Sequence, residues 1–333
     1  MEEHKLSIIM PVYNVAEYVE KSVLSILQQT YRNIELVLID DGSTDGSSEV
    51  CQQLAESDSR IRLIRKANQG VSTARNDGLS IATGDYITFA DSDDWVELDV
   101  YEKMMEYLQQ TNADICIMGF TPEGNDGFVS FLQKEVKQVL SQHDAINNLI
   151  EGKVYTWSIW DKIYRKDLLS GIKFNKNIAN GEDLLFNWQT FRNATKVAYI
   201  PLHGYHYVQR MSSMTNTFSA KKMTVMKAYD IIIADCKNES NLLRIIKEKY
   251  ISTLIGLINS YWLNCDKIKF KYTLLELYEA KCYLQKEWME IFCSNLSMRQ
   301  KIAALLIIMP TVITSIGINV YYILKKAIRK SAA

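Results

Sequence analysis

Carboxylates gather at three places in this sequence: Asp40-Asp41, Asp91-Ser92-Asp93-Asp94 and Glu182-Asp183. Acidic side chains spaced closely on a turn can hold a hard divalent cation, which takes oxygen ligands and shares its shell with substrate phosphates. A carboxylate in the right place also serves as a general base. Acids after strands cap helices as well, so a single cluster of this kind decides nothing. The setting decides more. The first two clusters each follow an apolar, β-branched run, Ile34 to Ile39 and Tyr86 to Ala90. In a parallel sheet, ligands bind in the crevice at the carboxyl ends of the strands. Two acidic loops at such ends define a candidate site.

The elements that must position these acids alternate as strand and helix through roughly the first 120 residues, the pattern of βαβ units and a mostly parallel sheet. Leu6 to Met10 is a short apolar run leading into Pro11-Val12-Tyr13-Asn14. Asn14 is placed to cap a helix whose Val19, Val23, Ile26 and Leu27 recur at helical spacing. Ile34 to Ile39 reads as a strand covered on both faces. Asp40 to Ser47 then makes a loop into a helix reaching Ala55, and Ile61 to Ile64 is a short strand. Asn68-Gln69-Gly70 turns into a helix that carries Ala74, Arg75, Asn76 and Gly78. A helix over Leu98 to Leu108 and a strand at Ile115 to Met118 close this half.

Residues 121–138 are polar and fit a hairpin or a loop. Gly181 opens a helix through Leu184, Leu185, Trp188 and Phe191, and from about residue 219 onward the pattern is helical. Ile302 to Leu324 is free of charge, with Arg299 and Lys301 before it and Lys325, Lys326, Arg329 and Lys330 after it. Its length is near the ~20 residues of a membrane span. Pro310 interrupts it, however, and basic residues on both sides suit a pair of helices lying in the interface. The plainer alternative is part of a helical core. The chain thus divides into 1–215, with halves 1–120 and 121–215, a helical extension over 216–297 and an apolar, basic tail over 298–333.

The bulk numbers exclude some classes. With 38 basic and 39 acidic side chains the net charge is −1, which argues against a nucleic-acid partner. The six cysteines form no C-x-x-C pair, so reduced thiols in a cytosol are expected, and the first residues show no signal-peptide pattern.

Four motifs in order carry a resemblance: Ser7 to Asn14, Ile39 to Asp45, Asn68 to Gly78 and Asp91 to Asp94. Together they resemble the family 2 glycosyltransferases with the GT-A fold, closely over residues 5–95 and more loosely to about 215. The resemblance implies a Rossmann-like α/β domain and a nucleotide-diphosphate sugar as donor, with UDP the favoured nucleotide. It implies that Asp41 accepts a hydrogen bond from the base, with Pro11 and Tyr13 packing beside it. Asn68 and Arg75 would hold the nucleotide, Asp91 and Ser92 would lie at the ribose and diphosphate, and Asp93 would bind Mn²⁺ or Mg²⁺. Glu182-Asp183 matches the family's later acidic pair, which makes Asp183 the expected base of an inverting transfer to an acceptor hydroxyl. Trp157 and Trp160 either line the sugar site or belong to the core. Relatives often carry a His shortly after the aromatic run, where this chain has Val208 and Arg210. Arg210 is then a candidate phosphate contact, and His203 or His206 a substitute ligand. The implied setting is cell-surface polysaccharide or glycolipid synthesis, with a glycan or lipid-linked acceptor at the inner face of the cell membrane. Oligomerisation stays open.

Rival readings fit less well. A haloacid-dehalogenase-type phosphatase would want Thr or Val where Trp95 stands. A calcium loop starting at Asp41 would need Glu where Gln52 stands. No Walker A loop, G-x-G-x-x-G or G-x-S-x-G occurs. A non-catalytic sugar-nucleotide-binding subunit is the remaining alternative.

Overall fold

A computed structural model describes residues 4–123, 135–209, 220–264 and 274–308. The chain separates into two compact units, Met1–Asn216 and Thr217–Ala333.

In the first unit, strands β1 (Leu6–Val12), β2 (Ile34–Asp40), β3 (Ile61–Arg65) and β4 (Tyr86–Phe89) alternate with helices α1 (Val19–Leu27), α2 (Ser47–Ser57) and α3 (Val71–Ile81). They are followed by β5 (Trp95–Val96), α4 (Val100–Thr111), β6 (Ile115–Glu123), β7 (Gln138–Ser141), α5 (Gln142–Glu151), β8 (Lys162–Arg165), α6 (Glu182–Asn193) and β9 (Lys196–Val208). The strand order is β3-β2-β1-β4-β8-β6-β9-β5, with β7 added on β9. The first four strands are parallel to their neighbours, as the βαβ pattern requires. Beyond β4 the pairings of β8 with β4 and β6, and of β9 with β5 and β7, are antiparallel, and only β6–β9 is parallel. The sheet as a whole is therefore mixed, and "mostly parallel" holds only for its first half. β1 and β2 are buried nearly throughout, as strands covered by helices on both faces must be.

α3 packs directly on β1, and Gly78 makes the approach possible: a Cβ there would collide with the side chain of Ile9. Gly78→Leu is expected to cost about 1–3 kcal/mol by overpacking. The melting temperature measures it, and an unchanged value would contradict this contact.

Asn14 does not cap α1. It takes a left-handed backbone (φ 52°), and the N-cap of α1 is Tyr18. The Asn14 side-chain oxygen instead accepts the Thr44 N–H at 2.8 Å, tying the loop after β1 to the loop after β2. Asp45 and Ser47 complete this brace by accepting the N–H groups of Ala16 and Val15. The expected hairpin or loop over 121–138 lies largely outside the described residues.

The second unit holds α7 (Val225–Asp235), α8 (Ser240–Asn264), α9 (Leu274–Lys286), α10 (Trp288–Cys293) and α11 (Met298–Ile308). Its core includes Ile232, Ile246 and Leu254, with Tyr250 stacked on Tyr229 and tilted against Tyr283. The start of the expected tail belongs to this packing: Ala304 and Ile307 are buried, and the Gln300 amide donates to Ser252 Oγ at 2.7 Å. The rest of that tail, including Pro310, Lys325, Lys326, Arg329 and Lys330, lies outside the described residues. Among the described residues no helix is long and apolar enough to cross a membrane.

Candidate active site

The first wall of the site is built by the loops after β1 and β2. In-register pairing of Val12 with Asp40 brings both loops to the same sheet edge. Asp41 is 3% exposed, and its two oxygens accept the N–H groups of Gln69 and Gly70 at 3.0 and 2.7 Å. It thereby clamps the turn that starts α3. Gly42 has φ +81°, and a Cβ there would stand 2.8 Å from the Asn68 backbone nitrogen, so only glycine lets the two loops come so close. Pro11 is half-buried, and the Tyr13 ring stands 50% exposed at the rim.

The second wall is the loop after β4. Tyr205 on β9 threads it: the hydroxyl accepts the Asp91 N–H at 3.2 Å and donates to Asp94 Oδ2 at 2.8 Å. Asp94 Oδ1 accepts the Val208 N–H at 2.8 Å. Asp94 and Ser92 are buried by this brace, while Asp91 and Asp93 keep part of their surface. Burial, then the charges of Asp91 and Asp93, push the Asp94 carboxyl far above the usual carboxylate range. Asp93, half-buried beside them, offers an oxygen ligand of the kind a hard cation takes. Among the described residues, however, no three His, Cys, Asp or Glu side chains converge as a complete ligand set. A cation at Asp93 would draw its other ligands from water and a bound phosphate, as Mg²⁺ commonly does.

The third wall is the start of α6. Arg75, only 5% exposed, donates to Asp183 Oδ1 at 2.8 Å and lies 3.5 Å from Glu182 Oε1. Its other terminal nitrogen reaches Asp91 Oδ1 at 3.3 Å. One guanidinium thus joins the β4 loop to the first turn of a helix about ninety residues away in sequence. Burial raises the Asp183 carboxyl to about 6, against the opposing pull of Arg75 and with a push from Asp91. Burial and then Asp183 raise Glu182 further. Both carboxyls of the pair are thus held above the usual carboxylate range, Glu182 more than Asp183.

Beneath, Lys162 is fully buried and donates to Asp161 and to the carbonyls of Thr156 and Ser158. Asn187 donates to the carbonyls of Trp157 and Asp183. These contacts fix the 156–161 loop against α6. Replacing Arg75 by Met should destabilise the fold, because Asp91, Glu182 and Asp183 would then face one another without their cation. Breaking a buried pair costs about 3–5 kcal/mol. Asp91 and Asp183 are 31% and 22% exposed, so a loss at the lower end, about 3 kcal/mol, is expected in urea unfolding. A loss below 1 kcal/mol would contradict it.

The two tryptophans part company. Trp160 is packed in an aromatic stack with Tyr205 and Tyr207, edge-on to Phe120, so it belongs to the core. Trp157 is half-buried on the loop held by Asn187. His206 stacks on Trp95 at 3.6 Å with Glu97 and Glu123 beside it. Arg210 lies outside the described residues. Sequence reasoning missed the bracing roles of Asp94 and Tyr205, and the buried Asp161–Lys162 pair.

Known proteins resemble this chain in sequence and in fold. Residues 7–172 match the family model for glycosyl transferase family 2. Glycosyltransferase GlyA of Streptococcus pneumoniae serotype 4 is 35% identical over 229 residues, which is 66% of this chain and 33% of that protein. The uncharacterized glycosyltransferase EpsJ of Bacillus subtilis is 34% identical over 215 residues, 63% of this chain and 62% of EpsJ. The match therefore spans less than two thirds of either relative. The crystal structure of S. aureus TarS 1-349 in complex with UDP-GlcNAc superposes with a TM-score of 0.71 at 19% identity, covering 91% of this chain and 90% of that one. The fold is of the GT-A kind. The chain belongs to the family 2 glycosyltransferases.

Proposed function

We propose that the protein is an inverting glycosyltransferase that moves a sugar from a nucleotide-diphosphate sugar, with UDP as the nucleotide, to an acceptor hydroxyl. The observation that carries this reading is the Arg75 bridge, which brings the Asp91 loop and the Glu182-Asp183 pair to one place. A transferase needs that juxtaposition, because donor and acceptor groups must meet at one carbon. TarS, which shares the fold, is a protein solved with UDP-GlcNAc.

In this reading the exposed Tyr13 ring and Pro11 flank the base, and Asp41 accepts its N–H with lone pairs left over from the backbone clamp. Asn68, Asp91 and Ser92 border the ribose and diphosphate. Arg75 Nε is buried without a hydrogen-bond partner among the described residues, which leaves a donor for the nucleotide. Asp93 holds Mn²⁺ or Mg²⁺, which would neutralise charge on the departing diphosphate. Asp183 takes the proton from the acceptor hydroxyl, and Trp157 borders the sugar. The acceptor is a glycan or lipid-linked saccharide of the cell surface, met at the cytoplasmic face of the membrane.

The test is a screen of nucleotide sugars for enzyme-dependent release of free nucleotide, with and without divalent cation. Turnover of at least one UDP-sugar, dependent on the cation, is the expected result. Tight binding of such a donor with no turnover of any donor, acceptors included, would favour the non-catalytic subunit.

A further inference from the structure

The helical unit carries a surface that its packing does not use. On α10, Ile291 is buried, and Glu287 and Glu290 are turned to Lys247 of α8 at 3.3 and 2.9 Å. The opposite side of this short helix shows Trp288, Met289 and Phe292, 49%, 57% and 44% exposed, with the two rings edge to face at 6.0 Å. Exposed apolar side chains recur one element later: Met298 and Ile302, one helical turn apart on α11, are 72% and 50% exposed. Five large apolar side chains left in water within fifteen residues mark an interaction surface more than scattered exposure.

The charges beside the ridge identify its partner. The acids of α10 are both paired with Lys247, although Glu290 stays 52% exposed, and Lys286 and Arg299 are exposed at its two ends. Lys301 donates to the Phe292 carbonyl and adds a third cation at the end of α10. In sequence the ridge runs directly into the charge-free stretch Ile302 to Leu324, which ends in Lys325, Lys326, Arg329 and Lys330. Aromatic and sulfur-containing side chains rimmed by lysine and arginine match the boundary between headgroups and acyl chains of an anionic leaflet. We propose that the α10–α11 ridge is a docking face for an anionic lipid bilayer, inserting Trp288, Met289 and Phe292 at headgroup depth. The inference rests on the reading of an acceptor presented at the membrane and adds a contact on α10, ahead of the 298–333 tail.

The experiment is flotation of the full chain with vesicles of phosphatidylcholine, with or without phosphatidylglycerol. The wild type is expected to float with the phosphatidylglycerol vesicles only. Trp288→Glu combined with Phe292→Glu should lower the bound fraction by about ten-fold, because the charges face acyl chains, while nucleotide release in solution is unchanged. A second full-length variant, with Lys325, Lys326, Arg329 and Lys330 all changed to Glu, isolates the tail. If the tail variant detaches and the ridge variant floats like the wild type, membrane binding stands and this inference falls. A wild type that stays at the bottom of the gradient overturns both, and leaves soluble turnover to judge the glycosyl-transfer reading separately. A wild-type dimer that the ridge variant dissociates, with no flotation, would show that a second copy covers this face and would overturn the lipid assignment.

Discussion

Asp93→Ala is expected to abolish turnover, and chelation of divalent cations should do the same to the wild type. The reason is charge. The loop after β4 already gathers Asp91, Asp93 and Asp94, and their mutual repulsion, added to burial, drives the Asp94 carboxyl strongly upward. A nucleotide diphosphate brings further negative charge to the same edge of the sheet. Two unit charges about 4 Å apart repel by about 4 kcal/mol at the effective dielectric of a protein surface. That is about a thousand-fold in affinity for each uncompensated pair. Asp93 keeps part of its surface where Asp94 is buried, so of the two it is the acid placed to face a cation. Donor binding, measured by calorimetry at fixed Mn²⁺, should weaken together with turnover. Full activity in excess EDTA would sink the assignment.

The first half of the site was legible because each part lies within a local pattern. Continuous apolar runs marked β1, β2 and β4, and acids placed directly after them pointed to the strand ends where ligands collect. The antiparallel half was not legible. β6, β8 and β9 have the same apolar composition whichever way they run, and direction is set by connections that periodicity does not report. The Arg75 bridge was hidden for a related reason. Its partners, Asp91, Glu182 and Asp183, are distant in sequence, and nothing local tells a nucleotide-binding arginine from one that ties two loops together. Trp160 illustrates the limit for aromatics: residue type alone cannot separate a stacked core ring from a sugar-binding one, and only the Tyr205 and Tyr207 rings against it decide. Asn14 was read as a cap because asparagine favours that role, yet the facing loop offered its N–H groups and took it instead.

Asp183→Asn should separate chemistry from binding. The amide keeps the size of the carboxylate and can still accept a hydrogen bond from Arg75, which also retains Asp91 and Glu182. What disappears is basicity. Turnover should fall by about 10²-fold or more, the scale of a positioned general base, with the KM for donor changed little. The pH profile gives an independent reading. A base works only when deprotonated, and burial raises the Asp183 carboxyl to about 6. Wild-type turnover should therefore decline as pH falls through about 6 and level off above it, and that acid limb should vanish in Asp183→Asn. The stereochemistry follows from the same role. When Asp183 deprotonates the acceptor, the acceptor oxygen itself displaces the diphosphate, and one displacement inverts the anomeric centre. Proton NMR of the product reads this directly from the anomeric coupling. A product with the donor's own configuration, or an Asp183→Asn enzyme with wild-type turnover, would remove Asp183 from the role of base.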